Sequence, residues 1–189
     1  MNMDFEMFYN TKSETRKKQK AVIIDIDNCW MDSRAIPMYA EENPTEYAEL
    51  LRTQCIPNVK FIRDVTEFIE ENDLFPIFLT GRTGSKEIAD VTRKQIEENS
   101  KFTNDMHTLG TWYILYMREP GDMTPTPTMK TQVIGKKILE HYNVVAAIDD
   151  DIKNLEKFKK FFSFDCYHYS IVNDTISKVR IYNVKHINF

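Results

Sequence analysis

The sequence predicts an α/β fold, a mainly parallel sheet with helices on both faces, in one domain over residues 1–189. Three observations carry that expectation. Strand-like apolar runs at 21–26, 74–79, 112–117, 144–148 and 164–169 alternate with helical patterns at 59–71, 85–98, 130–142 and 152–162. Strands that alternate with helices make a parallel sheet covered on both sides. A length of 189 residues, 42% of them hydrophobic and 12% aromatic, supplies one full core and little more.

The first run, Ala21-Val-Ile-Ile-Asp25-Ile-Asp27-Asn28, is continuous Val/Ile, the pattern of a strand buried on both faces. It ends by delivering two carboxylates two positions apart. Open α/β sheets bind ligands in the crevice at the carboxyl ends of their strands, so Asp25 and Asp27 are a candidate reaction centre. Residues 28–57 carry Pro37, Pro44 and Pro57 around a short helical pattern at 46–52, which predicts a flap or small cap over the strand ends. In the helix over 59–71, Ile62, Val65, Phe68 and Ile69 fall at core spacing, while Asp64, Glu67, Glu70 and Glu71 fill the solvent side.

The second run closes on Thr80-Gly81-Arg82. After the third, Gly121 to Thr128 contains Pro125 and Pro127 and predicts an extended loop leading to a helix that Lys130 opens. The fourth run delivers Asp149-Asp150-Asp151. The last helix sets Leu155, Phe158, Phe161 and Phe162 on one side and Lys153, Lys157, Lys159 and Lys160 elsewhere, most simply a solvated face. Residues 170–189 form a C-terminal extension in which the alternation from Lys178 onward predicts an edge strand.

A net charge of −4 gives no global field that would draw nucleic acid, so any polymer contact must rest on local basic residues. The cluster from Lys12 to Lys20 is one such group, most simply a solvated segment. Cys29, Cys55 and Cys166 are odd in number and lack C-x-x-C spacing, which fits a reducing cytosol better than a disulfide framework. His107, His141, His168 and His186 have no zinc-ligand spacing. No stretch reaches the length of a membrane span and the first residues lack a signal-peptide pattern, so a cytoplasmic protein with no membrane partner is expected. Gly81-Arg-Thr-Gly-Ser-Lys86 has the wrong spacing for a P-loop, and no kinase half is expected.

Taken singly, Thr-Gly-Arg reads as a turn, Lys130 as an exposed lysine, and Asp149 to Asp151 as carboxylates at a helix N-terminus. As an ordered set, Asp25-x-Asp27, Thr80-Gly-Arg82, Lys130 and Asp149-Asp150 resemble the haloacid dehalogenase (HAD) superfamily from Ala21 to about Ser170. The resemblance implies a Rossmann-like, HAD-type sheet and phosphomonoester hydrolysis. Asp25 would be the nucleophile that becomes an aspartyl phosphate, and Asp27 the general acid and base. Like charges a few ångströms apart in a partly dry site repel by roughly several kcal/mol, so a carboxylate attacking a phosphate dianion needs a cation. Mg²⁺ binds carboxylate, phosphate and water oxygens together. By resemblance its ligands are Asp25, the main-chain carbonyl of Asp27, and Asp149, with Asp150 sharing the role or close behind. Thr80 would hydrogen-bond the transferring phosphoryl group, and Lys130 would balance its charge and hold Asp25.

Closer still, Thr80-Gly-Arg82-Thr-Gly-Ser-Lys86, Val91-Thr-Arg-Lys-Gln, Met117-Arg-Glu-Pro-Gly-Asp122, Lys130 and Ala147-Ile-Asp-Asp150 resemble the phosphatase domain of the bacteriophage polynucleotide kinase/3′-phosphatases. That resemblance implies a substrate phosphate gripped by Arg82 and Arg34, with Gly81 beside them, since a guanidinium fork pairs with phosphate oxygens. The expected substrates are phosphorylated nucleic-acid ends or nucleotides: 3′-phosphates on polynucleotide ends needing repair, with a 5′- or 3′-mononucleotidase as the alternative and an inactive binding protein as a third. A phage origin would put the protein in the host-cell cytoplasm. Asn28 and Cys29 stand where that family usually has Gly and Thr, and Met123 to Met129 lacks the carboxylates that relatives carry, with Asp122 the nearest.

Overall fold

The computed structural model describes residues 17–37, 43–103 and 110–179. Its first run forms β1 (Gln19–Ile24), followed by β2 (Met31–Asp32), α1 (Pro44–Gln54) and β3 (Ile56–Pro57) in the flap region. Then come α2 (Val59–Glu71), β4 (Phe75–Thr83), α3 (Lys86–Glu98), β5 (Phe102–Thr103), β6 (Thr111–Trp112) and β7 (Ile114–Arg118). The chain continues through α4 (Thr126–Val133), a π-helical turn (Ile134–Ile138), β8 (Tyr142–Asp149), α5 (Ile152–Phe161), β9 (Asp165–Ser170) and β10 (Thr175–Lys178).

Among the described residues the main sheet has six strands in the order β10-β9-β8-β1-β4-β7, all neighbours parallel except β10 on β9. This is the predicted α/β architecture. The chain steps outward from β1 to β4 to β7, then returns to pair β8 on the other side of β1. That reversal is a topological switch point, and it opens a crevice between the carboxyl ends of β1 and β8.

Alternation along β1 sends Val22 and Ile24 to one face and Ala21 and Ile23 to the other. The first face packs on Phe61, Ile62 and Val65 of α2, and on Trp30, Phe78 and Phe102. The second packs on Ile134, Ile138, Leu155 and Phe158, from the π-helical turn and α5. A third, smaller cluster joins Tyr47, Ala48 and Leu51 of α1 to Ile88 and Val91 of α3, so the flap is seated on the body.

Three expectations change. The loop over 121–128 is shorter, because the helix begins at Thr126 with Pro125 as its N-cap and Pro127 in its first turn. A proline there surrenders an N–H that has no intrahelical acceptor anyway. The helix expected over 130–142 ends early as well, passing into the π-helical turn before β8 opens at Tyr142. The run at 112–117 divides into β6, which pairs with β5, and β7, which pairs with β4. The C-terminal edge strand expected from Lys178 onward lies largely outside the described residues, as do His107, His186 and Lys12. The three cysteines are free thiols. Among the described residues no helix is long and apolar enough to cross a membrane.

Candidate active site

Asp25 follows β1 and Asp149 ends β8. The two strands pair in parallel, and Asp25 N donates to Ile148 O at 3.0 Å, carrying that pairing past the end of β1. Lys130 lies 2% exposed on α4, and its Nζ donates to Asp25 Oδ1 at 2.7 Å and to Asp149 Oδ2 at 2.8 Å. With the helix starting at Thr126, Lys130 sits in the second turn, facing inward. Burial alone would lower the lysine pKa; Asp149 and Asp25 outweigh it and hold the ammonium above its ordinary value. Burial pushes Asp25 well up, and Asp149, Asp150 and Asp27 push the same way against Lys130.

Asp149 is held tightly. Its Oδ1 accepts from Asp151 N and Asn154 Nδ2, each at 2.9 Å, and its Oδ2 from Lys130 and Asn154. Asp151 caps α5 by accepting from Lys153 N at 2.9 Å, the helix N-terminal role available to that run of carboxylates. Asp150 is pushed up to about 6, by burial first and then by Asp149.

Asp25, Cys29 and Asp150 bring one ligand atom each within 4.8 Å of one another. Burial raises the Cys29 thiol well above its usual range, so it stays neutral and is a poor partner for a hard cation. The carboxylates of Asp25 and Asp150 are the pair that fit Mg²⁺: both are pushed toward protonation by burial and crowding that a divalent cation would relieve. Asp149, committed to Lys130, Asn154 and its own helix start, lies outside that cluster.

Thr80-Gly-Arg82 is not a turn. Strand β4 runs through it to Thr83, so alternate residues face opposite sides. Thr80 and Arg82 face Asp27. Thr80 Oγ1 donates to Asp27 Oδ2 at 3.2 Å, Arg82 Nε lies 3.0 Å from both carboxylate oxygens, and Nη2 donates to Oδ1 at 2.7 Å. The remaining nitrogen, Nη1, donates to Thr92 Oγ1 and Gln95 Oε1 of α3. Burial would raise the Asp27 carboxyl, but Arg82 overrides it and holds the group below its usual range. The polar groups of Thr80 and Arg82, expected on the phosphate, are thus turned toward Asp27. Gly81 faces α4, where a Cβ would come within 3.2 Å of Thr126 Cγ2.

The turn after β1 survives the departure at Asn28, which takes φ of 58°, a left-handed conformation that Asn tolerates. Its N–H donates to Met31 O at 2.7 Å, while Cys29 N and Met31 N both donate to Ile26 O. Cys29 is buried with Trp30 in the core and packs as a small hydrophobe.

A cavity of about 380 Å³ brings Asp25, Asp27, Lys130 and Asp150 together with Arg34, Gly81 and Arg82. Arg34 is 54% exposed, its fork resting on Asp32 through Nε and Nη2. Thr80 and Asp149 stand behind the lining through their hydrogen bonds. Sequence reasoning missed Asn154 and the roles of Gln95 and Arg118. Arg118 Nε donates to Gly81 O at 2.9 Å, Nη1 to Asp122 O and Thr124 O, and Nη2 to Thr126 Oγ1, which ties β4 to the loop before α4. The stretch Met117 to Asp122 was the available signal, but nothing in it says which carbonyls the arginine meets.

The sequence model for the polynucleotide kinase PNKP phosphatase domain matches residues 19–168. No curated protein matches the chain. Among solved structures, a chain of a Pnkp1/Rnl/Hen1 complex is similar at TM-score 0.60 and 17% identity, covering 88% of this chain and 51% of its own length. A chain of a Pnkp1/Rnl/Hen1 RNA repair complex is similar at TM-score 0.60 and 16% identity, over 88% of this chain and 46% of its own. This chain spans about half the length of those two.

Proposed function

The chain belongs to the polynucleotide kinase PNKP phosphatase domain family, and from that membership we propose that this HAD-type phosphatase is an Mg²⁺-dependent hydrolase removing 3′-phosphates from polynucleotide ends. The observation that carries the chemistry is Lys130 bridging Asp25 and Asp149 at adjacent strand ends, with Asp150 and Asp27 alongside. The choice of a polynucleotide end rests on the family and on the open cavity.

Asp25 is the nucleophile. Lys130 opposes the burial that raises its carboxyl and fixes its Oδ1, leaving the other oxygen for in-line attack on phosphorus. Asp27 passes a proton to the departing sugar oxygen, then takes one from the water that hydrolyses the aspartyl phosphate. Arg82 favours the ionised form of Asp27, which suits the second half-reaction, and it acts as a positioning residue through that contact. Thr80 steadies the same carboxylate. Arg34 is the more exposed of the two arginines expected on the phosphate and is the one assigned to grip it. Bound Mg²⁺, held by Asp25 and Asp150 with the Asp27 carbonyl, would neutralise charge between nucleophile and phosphate; Asp149 serves that site by orienting Lys130.

The test is phosphate release from a 3′-phosphorylated oligonucleotide, its 5′-phosphorylated counterpart and a panel of mononucleotides, in Mg²⁺ or EDTA, with wild type and Asp25→Asn. Metal-dependent release from the 3′-phosphorylated oligonucleotide, lost in the variant, is the expected result. Preference for mononucleotides would move the protein to nucleotide metabolism, and silence on every substrate would leave a binding protein.

A further inference from the structure

The active-site cavity does not end at the reaction centre. A second cavity, of about 640 Å³, shares Gly81, Arg118 and Thr126 with it, and a third, of about 380 Å³, shares Arg118 and Asp122 with the second. Arg118 lines all three, so they form one groove that leaves the active site over the start of α4 and runs down the β7 edge of the sheet.

The far part of the groove has three walls. One is β7 from Leu115 to Arg118; another is Ala89 and Arg93 of α3. The third is Met129, Gln132, Val133, Lys136 and Lys137, at the i, i+3, i+4, i+7, i+8 spacing of a single helix face. That face starts beside Lys130 and ends on the π-helical turn, which carries Lys136 and Lys137. Both lysines are exposed. Lys137 Nζ lies 3.3 Å from Glu119, and Arg93 pairs with Asp90 on its own helix at 3.2 Å. Among the described residues, this lining sets Arg93, Arg118, Lys136 and Lys137 against two carboxylates, Glu119 and Asp122. A chain of net charge −4 therefore presents a locally positive channel that opens from its own phosphate site. Tyr116, half-buried in the wall, adds an aromatic surface and Gln132 an amide.

We infer that this groove binds single-stranded nucleic acid, taking the nucleotides that precede the 3′-terminal phosphate, with Lys136 and Lys137 on the backbone. The inference rests on the proposed substrate and extends it to the polymer. A positive groove with an aromatic wall is the chemistry that tracks a single strand. The helix face from Met129 to Lys137 spans about 12 Å at 1.5 Å per residue, roughly three or four stacked nucleotides at 3.4 Å each.

Fluorescence anisotropy tests it without turnover, using 5′-labelled oligonucleotides of two, five and ten residues with free 3′-hydroxyls. Wild type should bind the five- and ten-residue strands alike and the two-residue strand much more weakly. Lys136→Glu/Lys137→Glu should bind the ten-residue strand at least about tenfold more weakly, with a salt slope shallower by about 1.4, from roughly 0.7 per phosphate contact on a single strand. Lys20→Glu/Lys160→Glu, outside the groove lining, should match wild type. Lys136→Gln/Lys137→Gln replaces the reversal if that variant melts at lower temperature. Equal affinity in the groove variant, an equal loss in the control, or competition by polyglutamate as effective as by oligonucleotide overturns the inference. Groove-dependent binding without release from any 3′-phosphate keeps the groove and sinks the substrate reading. Release from the ten-residue 3′-phosphate with no groove effect does the reverse.

Discussion

The Arg82 guanidinium presents two nitrogens to the Asp27 carboxylate, Nη2 at 2.7 Å from Oδ1 and Nε at 3.0 Å from both oxygens, while its third nitrogen is anchored on α3 by Gln95 at 2.7 Å. Gln95 in turn donates to Leu51 O of α1 at 2.6 Å. The proposed acid/base is therefore joined through one arginine to both a body helix and the flap helix.

Arg82→Gln should raise the Asp27 pKa. A carboxylate held low in the fold contributes stability that is fully present above its unfolded value of about 3.9 and is lost as pH falls through the lower folded value. Wild-type stability should therefore fall more steeply than the variant's below about pH 4, measured by urea unfolding at stepped pH. The acid limb of kcat should also move to higher pH. Parallel stability curves and an unmoved limb would show that Arg82 does not govern Asp27.

Mg²⁺ at a hundred times its Kd should stabilise the wild type by about 2.7 kcal/mol, which at this size is roughly 5 to 10 °C in Tm. Asp25→Asn and Asp150→Asn should each lose most of that shift, and Asp25→Asn should lower phosphate release by at least about a thousandfold. A full thermal shift in Asp150→Asn would remove Asp150 from the metal site.

Lys130→Met leaves two buried carboxylates without their cation. Breaking a buried pair by removing one partner costs about 3 to 5 kcal/mol. Without the lysine the buried Asp25 carboxyl, already raised by burial, binds its proton more readily than in the unfolded chain, so the deficit should grow as pH rises from 5 to 8. Denaturant unfolding at the two pH values checks both size and sign; a constant deficit would count against charge as the cause.

Asn28→Gly should be nearly neutral in stability, because glycine accepts φ of 58° freely. Asn28→Val should cost roughly 1 to 2 kcal/mol, since a β-branched residue resists the left-handed region. Comparing thermal melts of the two isolates backbone conformation from the side chain's hydrogen bonds with Ser33.

Much of the fold was legible because burial leaves a periodic trace in the chain. The Val/Ile run of β1 and the core spacing of Ile62, Val65 and Ile69 reflect faces that each element must hide. The order of Asp25, Asp27, Thr80, Lys130 and Asp149 along those elements was likewise visible, with Asp25 just past β1 and Asp149 at the end of β8. Only the tertiary structure decided which donor meets which acceptor. Strand β4 continues to Thr83 because β7 pairs with it there, and that extension turns Thr80 and Arg82 onto Asp27. An earlier start to α4 turns Lys130 inward between two carboxylates, and the geometry after β8 gives Asp149 to Lys130 and leaves Asp150 beside Asp25. Periodicity is a property of one segment and can be read there. Partner choice depends on register and packing between segments far apart in the chain, where a shift of one residue sends a side chain to the other face.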